Sequence, residues 1–262
     1  MCDPTTISLS WIREPFNSIS HVLGALIFAA LAIRLIRRGR GDWLRTVSLA
    51  VMAYASIQTL LISSAYHSLW PGAYRDLMLR ADVVGIFILI AGSITPVHMI
   101  LFTGVERWAP LALAWTVAIG GAYLRISYFD SLPGIVGVAI FLAFGWATAV
   151  TAAILWRRFG WKFIRFAVMS GLAYTVGAIV LMQHGPMVIR GVVGPHELWH
   201  LAVLTGLAMH WAFVFQFADG LAPPQRGMLI PLNDGPLMSV PLDERLIPLP
   251  VADDPSQYRN IA

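Results

Sequence analysis

Seven apolar runs, each long enough to cross a bilayer, constrain this chain more than any other feature. They lie at about 16–36, 46–69, 77–102, 108–125, 132–156, 163–183 and 196–218. About 20 residues rising 1.5 Å each cover the roughly 30 Å of hydrocarbon in a membrane. Lipid offers no partner to a backbone N–H or C=O, so runs of this kind must be helices. The expected fold is therefore all-α: a seven-transmembrane-helix bundle over residues 1–220. Only 12% of the residues are charged, about half the share usual in a soluble domain. The first run reads as a membrane helix and not as a cleavable signal, because it is too long for an h-region and its basic cluster follows it.

After Leu221 the composition shifts. Eight of the 16 prolines fall in the last 42 residues, and Tyr258 is the one aromatic residue left there. Residues 221–262 read as a Pro-rich disordered tail, in which the repeated Pro-Leu pairs have the composition of a short docking segment. The single cysteine, Cys2, excludes an intrachain disulfide and any cysteine-based metal site. The formal net charge of +4 does not point to nucleic acid, because most basic residues flank apolar runs, as membrane orientation requires.

Ionisable residues inside spans are costly and are functional candidates by default. The second run ends Ser63-Ser64-Ala65-Tyr66-His67, the third opens Arg80-Ala81-Asp82, and the seventh opens His196-Glu197-Leu198-Trp199-His200. With seven spans, odd helices start on the side that holds the N-terminus and even ones end there. His67, Asp82, His196 and His200 therefore share one membrane depth, although they come from three distant segments. His196 and His200, spaced i, i+4, lie on one helix face. With His67 they make three imidazoles plus an open position, the pattern of a catalytic zinc site. Asp82 would hold or deprotonate the bound water. Ser63, one turn before His67, shares its face and is placed to donate a hydrogen bond. A lone membrane histidine is more often an interhelical hydrogen-bonding group than a ligand. The shared depth of the set, not any single residue, carries the metal reading.

These residues resemble the hemolysin III / progestin and adipoQ receptor family, part of a wider group of membrane hydrolases that includes the alkaline ceramidases. The likeness runs over nearly all of 14–218. It rests on Glu14-Pro15-Phe16-Asn17 with His21 and Gly24, Ser63-x-x-Tyr66-His67, Asp82-x-x-Gly85-Ile86 followed by Gly92-Ser93-Ile94-Thr95-Pro96, and His196-x-x-x-His200. The resemblance implies that His67, His196 and His200 bind zinc, that Ser63 and Asp82 support the site, and that a membrane lipid amide or ester is hydrolysed.

Two other readings use the same letters. His196-Glu197-x-x-His200 is also the H-E-x-x-H motif of zinc proteases, with Glu197 as base. That reading needs a third ligand downstream, where the spans offer only His210 and Asp219. His210 lies about 15 Å along the helix, and His67 and Asp82 are left unexplained. A receptor or cytolytic protein with a structural zinc is the other reading. Among the remaining residues, His98 and His184 are expected near helix ends facing headgroups, and His210 hydrogen-bonded to a neighbour. Asn17 and His21 are expected to pack against another helix, close enough for a supporting role at the metal. Gly171, Gly177 and Ala178 are expected at a close helix contact. Trp11, Trp43, Trp70, Trp108 and Trp161 are expected as interfacial anchors.

Lysine and arginine are divided unevenly. Five lie on the N-terminal side (Arg13, Arg75, Arg80, Arg125, Arg190), ten flank the spans on the other side, and three more lie in the tail. The positive-inside rule then predicts a multi-pass protein of the plasma (inner) membrane with its N-terminus outside and its C-terminus in the cytoplasm.

Overall fold

The computed structural model describes residues 11–131 and 133–223, together with the backbone of 229–230, 238–239 and 247–248. Eight helices follow one another: α1 (Pro15–Arg38), α2 (Trp43–Ser68), α3 (Ala73–Leu101), α4 (Gly104–Ser127), α5 (Gly134–Ala147), α6 (Ala149–Phe159), α7 (Trp161–Met182) and α8 (Pro195–Phe215). Among the described residues they make seven spans long and apolar enough to cross a membrane, with α5 and α6 together forming the fifth. The chain is a multi-pass membrane protein.

The fifth run is the one that does not form a single helix. Its ladder is interrupted at Thr148, whose hydroxyl donates to the Gly145 carbonyl at 2.7 Å. A local side-chain bond of this kind competes with the helical one. The α1–α2 turn is built from its own sequence. Gly39 ends α1, and the Asp42 carboxylate caps α2 by accepting from the Arg45 amide at 2.9 Å. The Thr46 hydroxyl donates back to the Gly39 carbonyl at 2.8 Å.

Neighbouring helices pack in sequence from α1 to α4, α7 packs on α5, α6 and α8, and α8 returns to α1. The core lies towards the end of the bundle away from the N-terminus. Phe28 and Leu35 of α1, Leu49 and Met52 of α2, Phe159 of α6, Phe163 of α7, and Trp211 and Phe213 of α8 meet there with Phe217. Burial is unequal, at 67% of the α3 span and 6% of the α5–α6 span. Trp11, Trp43, Trp70, Trp108 and Trp161 are all exposed at span ends.

Two expectations need correction, and one expected span carries an interruption. His98 does not face headgroups. It is buried, stacks on Phe102, and bonds the Glu106 carbonyl at 2.8 Å and the Thr151 hydroxyl at 3.0 Å. Gly171 makes no close contact, because a Cβ built there meets nothing within 4 Å. The fifth span is broken, as described above. Beyond α8, Leu221–Ala222 pairs antiparallel with Ile247–Pro248, and Leu229–Ile230 with Met238–Ser239. The remainder of the predicted disordered tail lies outside the described residues.

Candidate metal centre

The backbone first brings the carriers together. The Arg13 and Glu14 amides donate to the Ser68 and His67 carbonyls at 3.3 and 3.1 Å, tying the entry of α1 to the exit of α2. A serine ladder continues the seam. The Ser18 hydroxyl lies 2.6 Å from that of Ser68 and 3.1 Å from that of Ser64, and Ser64 also donates to the Ser18 carbonyl. On the other flank, Gly24 of α1 lets α8 approach, since a Cβ there would stand 2.5 Å from the Leu204 side chain.

His67, His196 and His200 converge at this end. Each offers one ring nitrogen, and the three lie within 4.8 Å of one another. The His200 and His196 Nε2 atoms face each other at 3.1 Å. The His67 ring centroid is 4.6 Å from that of His200 and 5.1 Å from that of His196. His67 and His200 are buried and His196 is the least enclosed of the three. Three imidazoles from two helices, each offering one ring nitrogen, could hold a metal ion.

Asp82 and Ser63 sit together beside these rings. Ser63 is buried and Asp82 half-buried, the hydroxyl meets the carboxyl, and the Asp82 charge is in electrostatic reach of His67. Shared depth, read from the sequence, becomes shared space for the three histidines, with Ser63 and Asp82 next to His67.

Glu197 is in electrostatic reach of His196, but its oxygens are taken by other groups. Its Oε2 accepts from the Gly194 amide at 2.9 Å, closing the first turn of α8, and its Oε1 accepts from the Asn17 amide at 3.0 Å. His210 bonds the Ser93 carbonyl at 3.0 Å. Neither belongs to the histidine cluster, so the geometry offers no support for a protease built on H-E-x-x-H.

Sequence reasoning passed over Glu14 as a member of the site. It is 4% exposed, and its Oε2 lies 2.5 Å from the His67 Nδ1. Its Oε1 faces Arg75 at 3.6 Å and Arg13 at 3.8 Å. The depth argument that found His67 could have found it, since Glu14 precedes Pro15 at the same end of the bundle. Asn17 and His21, placed in the sequence only as packing residues near the metal, both reach α8. The His21 Nε2 lies 2.7 Å from the His200 Nδ1. Behind this array, outside the histidines, a groove of about 430 Å³ runs between the start of α1 and the 191–192 loop, with Glu14, Asn17 and Glu197 among its lining residues.

The family model described as Haemolysin-III related matches residues 9–211. Hemolysin-3 of Bacillus cereus is 29% identical over 213 residues, which is 80% of this chain and 94% of that protein. A Hemolysin-3 homolog of Bacillus subtilis is 24% identical over 198 residues, covering 75% of this chain and 90% of that one. An uncharacterised protein of Schizosaccharomyces pombe is 24% identical over 232 residues, 80% of this chain and 52% of its own length. No solved structure matches.

Proposed function

The chain belongs to the haemolysin-III related family, and on that premise we propose that it is a zinc-dependent membrane hydrolase acting on a lipid amide or ester. The observation that carries this reading is the convergence of His67, His196 and His200 beside the Asp82 carboxyl. The donor set fits zinc. Two nitrogens sharing a tetrahedral zinc at 2.0–2.1 Å stand roughly 3.3 Å apart. The 3.1 Å between the His196 and His200 Nε2 atoms is close to that, and the His67 ring nitrogen lies within 4.8 Å of the other ligand atoms. Zinc in such a site supplies Lewis acidity towards a carbonyl and activates water for attack.

The chain's own groups divide the remaining work. Asp82 is the acceptor for the proton that water gives up, and the Ser63 hydroxyl beside it fixes the carboxyl's orientation. The imidazoles carry no charge of their own when they act as ligands, so a metal dication is left to act on the substrate. The choice of an acyl amide or ester as substrate rests on the resemblance to membrane lipid hydrolases. The relatives' names speak of haemolysis, and a cytolytic role would leave Asp82 without a task.

Metal analysis of the purified chain tests this. Roughly one zinc per chain is expected, lost in His67→Ala, His196→Ala and His200→Ala alike, because shared ligands bind as a unit. Full retention of zinc in two of the three variants would sink the site. The charge bias supports a sidedness proposal as well: N-terminus outside, C-terminus in the cytoplasm, and the histidines towards the outer face. A reporter fused after Ile261 that is active only outside the cytoplasm would reverse it.

A further inference from the structure

The first helix donates no ligand, yet its N-cap Glu14 and two of its residues point at the ligand-bearing helices. Glu14, Asn17 and His21 are spaced three and four apart, so they form one stripe. Glu14 meets His67 of α2, Asn17 meets Glu197 of α8, and His21 meets His200 of α8. All three are buried.

We propose that this stripe on α1 is the positioning element of the metal centre, with Glu14 and His21 holding the Nδ1 edges of His67 and His200 so that both rings present Nε2 to the ion. The inference rests on the metal reading given above. An ionised carboxylate only accepts, so the His67 Nδ1 at 2.5 Å from Glu14 Oε2 carries the proton and donates it. The lone pair is then on Nε2. At His200 the Nδ1 faces His21 while the Nε2 faces His196. With Nε2 as the ligand atom, Nδ1 is the donor and the His21 Nε2 is its acceptor. His21 is excluded as a fourth ligand because it lies against the Nδ1 edge of His200, away from the converging nitrogens. Metal-binding histidines are commonly fixed through their second nitrogen in this way.

Asn17 makes the stripe a single unit. Its amide nitrogen lies 3.4 Å from Glu14 Oε2 and 3.0 Å from Glu197 Oε1. One amide thereby couples the group that holds His67 to the first turn of the helix that carries His196 and His200. A buried carboxylate is a burden on folding unless it is well paired. Glu14 is paired through Arg13, Arg75 and His67, at a point where packing alone would be served by an apolar side chain.

The test uses the full-length chain in detergent, with zinc affinity by chelator competition, the visible spectrum of the cobalt-substituted protein, and the melting temperature of the metal-free form. His21→Phe and Glu14→Ala are expected to weaken zinc roughly 10–100-fold and to change the cobalt spectrum; the metal-free melting temperature is little moved in His21→Phe and falls in Glu14→Ala, which takes the carboxylate away from Arg13 and Arg75. His21→Gln and Glu14→Gln, whose amide oxygens still accept, are expected to recover most of the affinity. Wild-type affinity and spectrum in both His21→Phe and Glu14→Ala would overturn the proposal. So would a lost affinity that the glutamine variants do not restore and that the metal-free melting temperature follows in His21→Phe as well, since that marks a structural role only. A wild-type chain that takes up neither zinc nor cobalt would instead overturn the metal reading itself.

Discussion

The two ends of this bundle are built on different principles. At the end that holds the histidines, Glu14, Asn17, Ser18, His21, Ser63, Ser64, His67, Glu197 and His200 are buried polar residues. At the other end, Phe28, Leu35, Leu49, Phe159, Phe163, Trp211, Phe213 and Phe217 are buried apolar ones. In lipid an apolar contact between helices gains little over an apolar contact with acyl chains, so packing shape and hydrogen bonds must hold helices together. The far end relies more on shape, with a few buried polar contacts such as those of His98 and Arg107 at its margin. Phe28 lies 4.9 Å from Trp211, and Phe163 lies 5.5 Å from Phe213, ring centre to ring centre. The histidine end relies on direction, because each polar atom must find its partner or bear the cost of burial. Directional contacts fix atoms and not merely volumes, which is what a metal centre needs. Function and stability should therefore be separable by end.

The largest separation is expected at Asp82. Asp82→Asn keeps the size and the contact with Ser63 but removes the proton acceptor. Hydrolysis of a lipid amide or ester should fall by about 10²–10⁴, with bound zinc and thermal stability retained. Glu197→Gln should keep hydrolysis within about tenfold, because its oxygens serve Gly194 and Asn17: the glutamine oxygen still accepts from Gly194, and its NH2 meets Asn17 once that side chain turns its unpaired oxygen towards it. Rates of both variants on one substrate settle the matter. Activity surviving in Asp82→Asn and vanishing in Glu197→Gln would revive the protease reading.

Trp211 should show the opposite pattern. It is 1% exposed, packs on Phe28, and donates from Nε1 to the Ser56 hydroxyl at 3.1 Å. Trp211→Ala removes that volume and leaves a cavity, at a cost of about 3–5 kcal/mol. Denaturant unfolding in detergent should register the loss, while the folded fraction keeps its zinc. A variant with unchanged stability and weakened zinc would show that the ends are not independent.

The sequence carried the first level of this division and lost the second. Seven spans were legible because lipid enforces length and apolarity on each helix separately. The set of His67, Asp82, His196 and His200 was legible because alternation of helix direction converts chain position into depth. Contacts around the ring of helices were not legible, since depth says nothing of which face meets which. Glu14 on His67 and His21 on His200 are contacts of that kind. His98 was misplaced for a related reason. It lies near a helix end, but α6 and the start of α4 cover it there through Thr151 and Glu106. The break at Thr148 depends on a single hydroxyl bond, which hydrophobic periodicity does not register.

Gly171 and Gly177 draw the comparison most finely, because they lie on one helix and read alike as letters. A Cβ at Gly177 would collide with Ala202 and stand 3.1 Å from the Trp199 ring. Trp199 and Ala202 flank His200 in α8, so this contact lies where the histidine end begins. A Cβ at Gly171 would meet nothing within 4 Å. Gly177→Ala should therefore push α8 away from α7 and cost about 1–3 kcal/mol as an overpacked contact, with a small fall in zinc affinity as His200 moves. Gly171→Ala should be neutral or stabilise by up to about 1 kcal/mol, because alanine restricts the helix backbone less unfavourably than glycine does. Melting temperatures of the two variants, with and without zinc, separate these effects. Equal losses at both positions would mean that the Gly171 face of α7 is also closely packed. A stability loss at Gly177 with zinc affinity unchanged would place the boundary between the two ends closer to the histidines than Ala202.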